Sequence, residues 1–101
     1  MQRNYNKKYY NMKLKKGFIL RDICGDKVLV GEGLEAIDFG HLLSLNETAT
    51  WLWQEAEKEG TFTCNSLTDA LLGTYEVNPE TAKKDVKRVI DKWIEENLIE
   101  E

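Results

Sequence analysis

The side chains able to do chemistry are few and scattered. His41 is the only histidine, and nothing in the sequence places a carboxylate or a thiol beside it. A lone histidine on a strand face is packed or partly exposed far more often than it is catalytic. Cys24 and Cys64 lie in different elements and form no Cys-x-x-Cys pair. With one histidine to join them they fall short of the four ligands of a structural zinc site, and they read as two reduced thiols. Gly31-Glu32-Gly33 lacks the following helix and lysine of a phosphate loop. Near the C-terminus, Asp85, Asp91, Glu95 and Glu96 interleave with Lys83, Lys84, Lys87, Arg88 and Lys92. That pattern reads as a solvated, ion-paired helix face rather than a metal cluster. Catalysis needs a nucleophile, an acid–base pair or a metal site. The residues therefore point to a binding module without a cofactor or a metal, not to an enzyme.

The elements that must position such a binding surface can be read from bulk properties and periodicity. A chain of 101 residues with a hydrophobic fraction of 42% supports one modest core. No run of about eighteen apolar residues occurs, and no apolar h-region follows the charged N-terminus, so a cytoplasmic protein without a membrane segment is expected. Charge is unevenly spread. Residues 1–16 carry six Lys or Arg and no acid, while the rest holds eight basic and eighteen acidic side chains. Residues 1–15 read as a basic, flexible tail, and residues 16–101 as a single domain. An acidic body is poorly suited to neutralising phosphates, which argues against a nucleic-acid partner.

Taken in order, residues 1–14 show no clean period. Gly17–Ile23 reads as a first strand with Phe18, Leu20 and Ile23 facing inward. Cys24-Gly25-Asp26-Lys27 is turn chemistry, and Val28–Val30 a second, short strand, so the pair forms a hairpin. Ala36–Leu45 is a third strand. It places Ile37, Phe39, His41, Leu43 and Leu45 on one face, with Asp38, Gly40, Leu42 and Ser44 on the other. Asn46 then sits where a helix N-cap belongs. Ala49, Leu52, Trp53 and Ala56 make the apolar stripe of a first helix that stops at Gly60, and Trp51 points away from it. A second helix starts near Asn65 or Ser66, where Ser66-Leu67-Thr68-Asp69 resembles a capping box. Its stripe is Leu67, Ala70, Leu71 and Tyr75. Asn78-Pro79 reads as N-cap and first-turn proline of a third helix. Along it Ala82, Val86, Val89, Ile90, Trp93 and Ile94 recur at three and four, ending near Asn97, and Leu98-Ile99 tucks back as an extension.

If the third strand is a sheet edge, its free N–H and C=O groups can pair with an extended peptide, and the third helix could wall the other side of such a groove. The same open edge allows a homodimer by strand pairing or swapping. The alternative is that these residues are core and that a neighbouring element covers the edge. From the residues alone the two readings stand level.

Phe18-Ile19-Leu20-Arg21, residues 25–30, Leu45-Asn46-Glu47-Thr48-Ala49, Gly60-Thr61 and Asp85-Val86 onward to Leu98-Ile99, taken in order, resemble the PqqD family. Phe18-Ile19-Leu20-Arg21 with Gly25-Asp26-Lys27-Val28-Leu29-Val30 is similar to its opening, and Leu45-Asn46-Glu47-Thr48-Ala49 with Leu52-Trp53 to its central signature. Gly60-Thr61, followed by Leu67, Leu71, Tyr75, Val77 and Pro79, resembles its middle. Asp85-Val86, Val89-Ile90, Trp93-Ile94 and Leu98-Ile99 resemble its final helix. The likeness covers residues 16–100. It departs at Asp22, where the pattern commonly has proline, and at Asn97, where it has glycine. The resemblance implies an α+β, winged helix-turn-helix-like fold, with a three-stranded antiparallel N-terminal sheet followed by a three-helix bundle. It implies a non-catalytic peptide chaperone that captures the leader of a ribosomal precursor peptide by strand addition. The leader is then presented to a modifying enzyme of the radical S-adenosylmethionine or another peptide-modifying class. Carried onto this chain, one side of the groove is Phe39, Gly40, His41, Leu42, Leu43, Ser44 and Leu45. The other is Asp85, Arg88, Val89, Lys92 and Trp93. The competing reading is a winged-helix DNA-binding regulator, with Lys83, Lys84, Lys87, Arg88 and Lys92 of the third helix in a major groove.

Overall fold

Cys24 and Gly25 both take positive φ, 54° and 89°, as a two-residue primed turn demands. They join β2 (Phe18–Ile23) to β3 (Asp26–Gly31) in an antiparallel hairpin, with Ile23 opposite Asp26 and Phe18 opposite Gly31. Asp22 reinforces the turn: its carboxylate accepts from the Gly25 N–H at 3.1 Å and from Lys27 Nζ at 2.9 Å. Because the turn needs only two residues, β3 begins earlier and runs longer than the expected Val28–Val30. The computed structural model describes residues 11–31 and 42–100, and these fall into two compact units.

The first unit, Lys15–Trp51, holds one sheet. Strand β4 (Leu42–Leu45) pairs antiparallel with β3, giving the order β2-β3-β4. The rows across the sheet are set by register: Leu20, Leu29 and Leu43 share one row, and Arg21, Val28 and Ser44 the next. Leu29 on the central strand is 2% exposed, and Phe18 and Leu20 are half-buried as expected. Ile23 corrects the sequence reading. It lies one step off the Phe18–Leu20 alternation and is exposed, because side chains an odd number of positions apart point to opposite faces. The N-terminal part of the expected third strand, from Ala36 to His41, lies outside the described residues. Asn46 caps the following helix, α1 (Glu47–Glu59). Its Oδ1 accepts from the Ala49 N–H at 2.8 Å and its carbonyl from the Thr50 N–H at 2.8 Å.

The second unit joins the N-terminal stretch ending at Leu14 to the chain from Leu52 onward. It contains a sheet that sequence reading missed. β1 (Met12–Leu14) is its central strand, flanked by β5 (Thr61–Phe62) and β6 (Ile99–Glu100), both antiparallel to it. Met12 therefore belongs to the core at 3% exposed, although residues 1–14 had been expected to be irregular. The Leu98-Ile99 extension is the start and approach of β6. Residues 1–10 lie outside the described residues.

Helix α2 (Cys64–Thr74) starts one or two residues earlier than expected. Thr63, held next to β5, is the N-cap: its Oγ1 accepts from the Ser66 N–H and Ser66 Oγ accepts from the Thr63 N–H, both at 2.9 Å. Ser66 is thus the third-position partner of the capping box and not its cap. Tyr75 falls beyond the helix and is exposed, while Cys64 and Thr68 join Leu67 and Leu71 in the buried stripe. Helix α3 (Pro79–Glu95) begins as the sequence predicts, with Asn78 Oδ1 accepting from the N–H groups of Glu80 and Thr81. It closes in a Schellman turn. The Leu98 N–H donates to the Trp93 carbonyl at 2.8 Å and the Asn97 N–H to that of Ile94 at 3.0 Å, with Asn97 at φ 64°. Ala82, Val86, Ile90 and Trp93 form the buried stripe of α3.

Candidate functional site

β4 lies at the end of its sheet. Among the described residues it pairs on one side only, with β3, through Lys27 opposite Leu45, Val28 opposite Ser44, Leu29 opposite Leu43 and Val30 opposite Leu42. Among the described residues its other side has no strand partner, which makes it a ready template for one more strand. Leu43 and Leu45 are half-buried and Ser44 is exposed. The edge is held by the elements that flank it. The hairpin turn fixes β3, and the Asn46 cap terminates β4 by turning the chain into α1. Of the other expected strand residues, Phe39, Gly40 and His41 lie outside the described residues.

In the other unit, Asp85, Arg88, Val89 and Lys92 follow one another at helical spacing along one flank of α3. Arg88 and Lys92 are exposed, whereas Asp85 and Val89 are half-buried. Arg88 pairs with Asp85, one turn away. Lys92 reaches Glu96 at 3.3 Å and Glu95 at 3.7 Å. These cations are thus spent on local ion pairs, each worth only about 0.3–0.5 kcal/mol on a helix surface. Trp93 differs from its neighbours. It is 1% exposed, edge-to-face with Trp53 at 5.3 Å and with Phe62 at 6.2 Å between ring centroids. Its ring fixes α3 to the core of this unit and does not present itself to a ligand. The signal was in the sequence, since Trp93 continues the Ala82–Val86–Ile90 stripe.

Among the described residues no group of three or more His, Cys, Asp or Glu side chains could hold a metal ion. Cys24 is exposed and Cys64 buried, and both are free. Burial pushes the Cys64 thiol up, against the smaller opposing pull of its hydrogen bond with Thr68 and of Lys83 and Lys87. Lys27 beside Asp22, by hydrogen bond and charge, holds that carboxyl below its ordinary range. Among the described residues no helix is long and apolar enough to cross a membrane.

Residues 26–99 match the family described as coenzyme PQQ synthesis protein D, PqqD. The chain belongs to the PqqD family. The match spans β3 to β6 and so takes in both units of this PqqD-family chain. Two solved structures share its fold. One, TbiB1 in complex with the TbiA(beta) leader peptide, has a TM-score of 0.68 at 18% identity, covering 87% of this chain and 94% of that one. The other, a lasso peptide synthetase B1 complexed with the leader peptide, has a TM-score of 0.67 at 19% identity, covering 90% and 99%. No curated protein matches this PqqD-family chain.

Proposed function

We propose that this chain captures the leader of a ribosomally made precursor peptide as an added strand on the β4 edge. It then presents the peptide to a modifying enzyme, and it performs no chemistry of its own. The observation that carries the reading is the one-sided pairing of β4. Membership of the PqqD family supports it, as does the fold shared with two proteins solved with leader peptides bound. The absence of any nucleophile–base pair in the sequence motivates the non-catalytic part, and a radical S-adenosylmethionine enzyme is the partner that the family implies. The family resemblance names Asp85, Arg88, Val89 and Lys92 of α3 as leader-binding candidates, whereas buried Trp93 holds α3 to the core of its own unit.

The energetics show where affinity must come from. A strand of four residues offers about four outward backbone bonds, worth about 2–6 kcal/mol net together. Ordering a flexible peptide costs about 2–5 kcal/mol, so the backbone bonds do little more than cancel it. Micromolar binding needs about 8 kcal/mol, and side chains must supply most of that. The test is fluorescence anisotropy with synthetic leaders of candidate ribosomal precursor peptides from the same genome, together with pulldown of a candidate radical S-adenosylmethionine enzyme with and without precursor. Saturable binding in the micromolar range or tighter, and enzyme capture that strengthens when the precursor is added, are expected. Absence of binding by every such leader contradicts the reading.

A further inference from the structure

We infer that the outward peptide groups of Leu42 and Ser44 are the anchors for a captured segment, and that the guest residue between these two anchors, facing Leu43, is apolar. This rests on the proposed leader capture and adds to it a register and a sequence requirement. In a two-residue primed turn the residues on either side of it exchange both backbone bonds, so Ile23 and Asp26 form a hydrogen-bonded pair. Such pairs alternate along an antiparallel ladder with pairs that exchange none. Asp26, Val28 and Val30 therefore turn their peptide groups toward β2, and Lys27, Leu29 and Gly31 turn theirs toward β4. The register carries the alternation one strand further. Leu45 opposite Lys27 and Leu43 opposite Leu29 bond inward to β3. Ser44 and Leu42, opposite Val28 and Val30, point their N–H and C=O groups away from the sheet. The register runs without a bulge across both ladders, so the parity is not reset.

Side chains of directly opposite residues share a face. A guest residue bonded to Ser44 joins the row Arg21–Val28–Ser44, whose two outer members are exposed. It sits beside a hydroxyl and water, where a polar side chain is tolerated. The guest residues on either side of it fall opposite Leu43 and Leu45. The first extends the stripe Leu20–Leu29–Leu43, in which Leu29 is buried and Leu20 and Leu43 are half-buried. An apolar side chain there covers Leu43, and a charged one is desolvated without a partner. The second joins the row Asp22–Lys27–Leu45, which carries an exposed ion pair, so the position facing Leu43 decides which leader binds.

Amide hydrogen exchange by NMR on the full chain tests the geometry without a ligand. Leu43 and Leu45 are expected to be protected, while Ser44 and Leu42 exchange freely. Protection of Ser44 in the free chain overturns the inference. With a synthetic precursor leader that binds in the anisotropy assay at saturation, exchange at Ser44 and Leu42 is expected to slow by about tenfold, roughly one net backbone bond each. A scan of that leader, N-methylating one residue at a time, is expected to weaken binding with a period of two. Binding that saturates without Ser44 protection or without the alternation sinks the register while leaving leader capture standing. No binding at all removes leader capture itself.

Discussion

Single residues set the joints of this fold, and several can be tested alone. Asn46 ends β4 and caps α1, so Asn46→Ala should lower stability by about 0.5–2 kcal/mol in chemical denaturation. Asn97 occupies the left-handed position of the α3 Schellman turn, where the family pattern has glycine. Asn97→Gly should leave stability at or above the starting value, while Asn97→Val should cost about 1–2 kcal/mol because a branched side chain resists that backbone. Asp22 stands where the family pattern has proline, and it ties the hairpin through Gly25 and Lys27. Its carboxyl is depressed in the folded chain. Its stabilising contribution is therefore present above the ordinary carboxylate value and fades as pH falls through the lower folded value. Asp22→Asn should melt earlier than the parent at neutral pH, and the gap should close in strong acid. The two thiols should separate in an alkylation time course, with exposed Cys24 modified first and buried Cys64 protected until the chain unfolds.

At the scale of elements, the stripe of α3 and its asparagine–proline start were legible because several local signals agree there. Asn46 and its helix were legible for the same reason, and Leu43 and Leu45 were placed by alternation. The β5-β1-β6 sheet was not legible. Its flanking strands are two residues long, too short to show a period, and its three strands come from the start, the middle and the end of the chain. Met12-Lys13-Leu14 does alternate, but three residues within a basic stretch are outweighed by the charge around them. That same shortness makes β1 a sensitive test. Met12→Ala removes a buried side chain at the centre of the small sheet and should cost about 2–5 kcal/mol, an effect that no flexible tail would produce. Trp93→Ala should cost about 3–5 kcal/mol for the same reason, and any loss of leader binding should track loss of α3 rather than of a direct contact. The α2 cap was misplaced because Thr63 and Ser66 are both good caps, and only the pairing of β5 shows which one starts the helix.

For the whole molecule, the candidate site was legible as a place but not as a register. Sequence alternation named the strand. Which of its peptide groups face outward depends on counting from the hairpin turn across two ladders, and that requires the pairing itself. The formal net charge of −4 and the local ion pairs of Arg88 and Lys92 oppose the DNA-binding alternative. Filter binding across salt should show no steep negative slope for this chain. The central claim is that the outer edge of β4 takes a guest strand. Its most direct measurement is a titration of the isotope-labelled chain with a synthetic precursor leader, following every backbone amide. The account expects saturable shifts centred on Leu42–Leu45. Shifts confined to α1 and α2, with β4 unmoved at saturation, would contradict it.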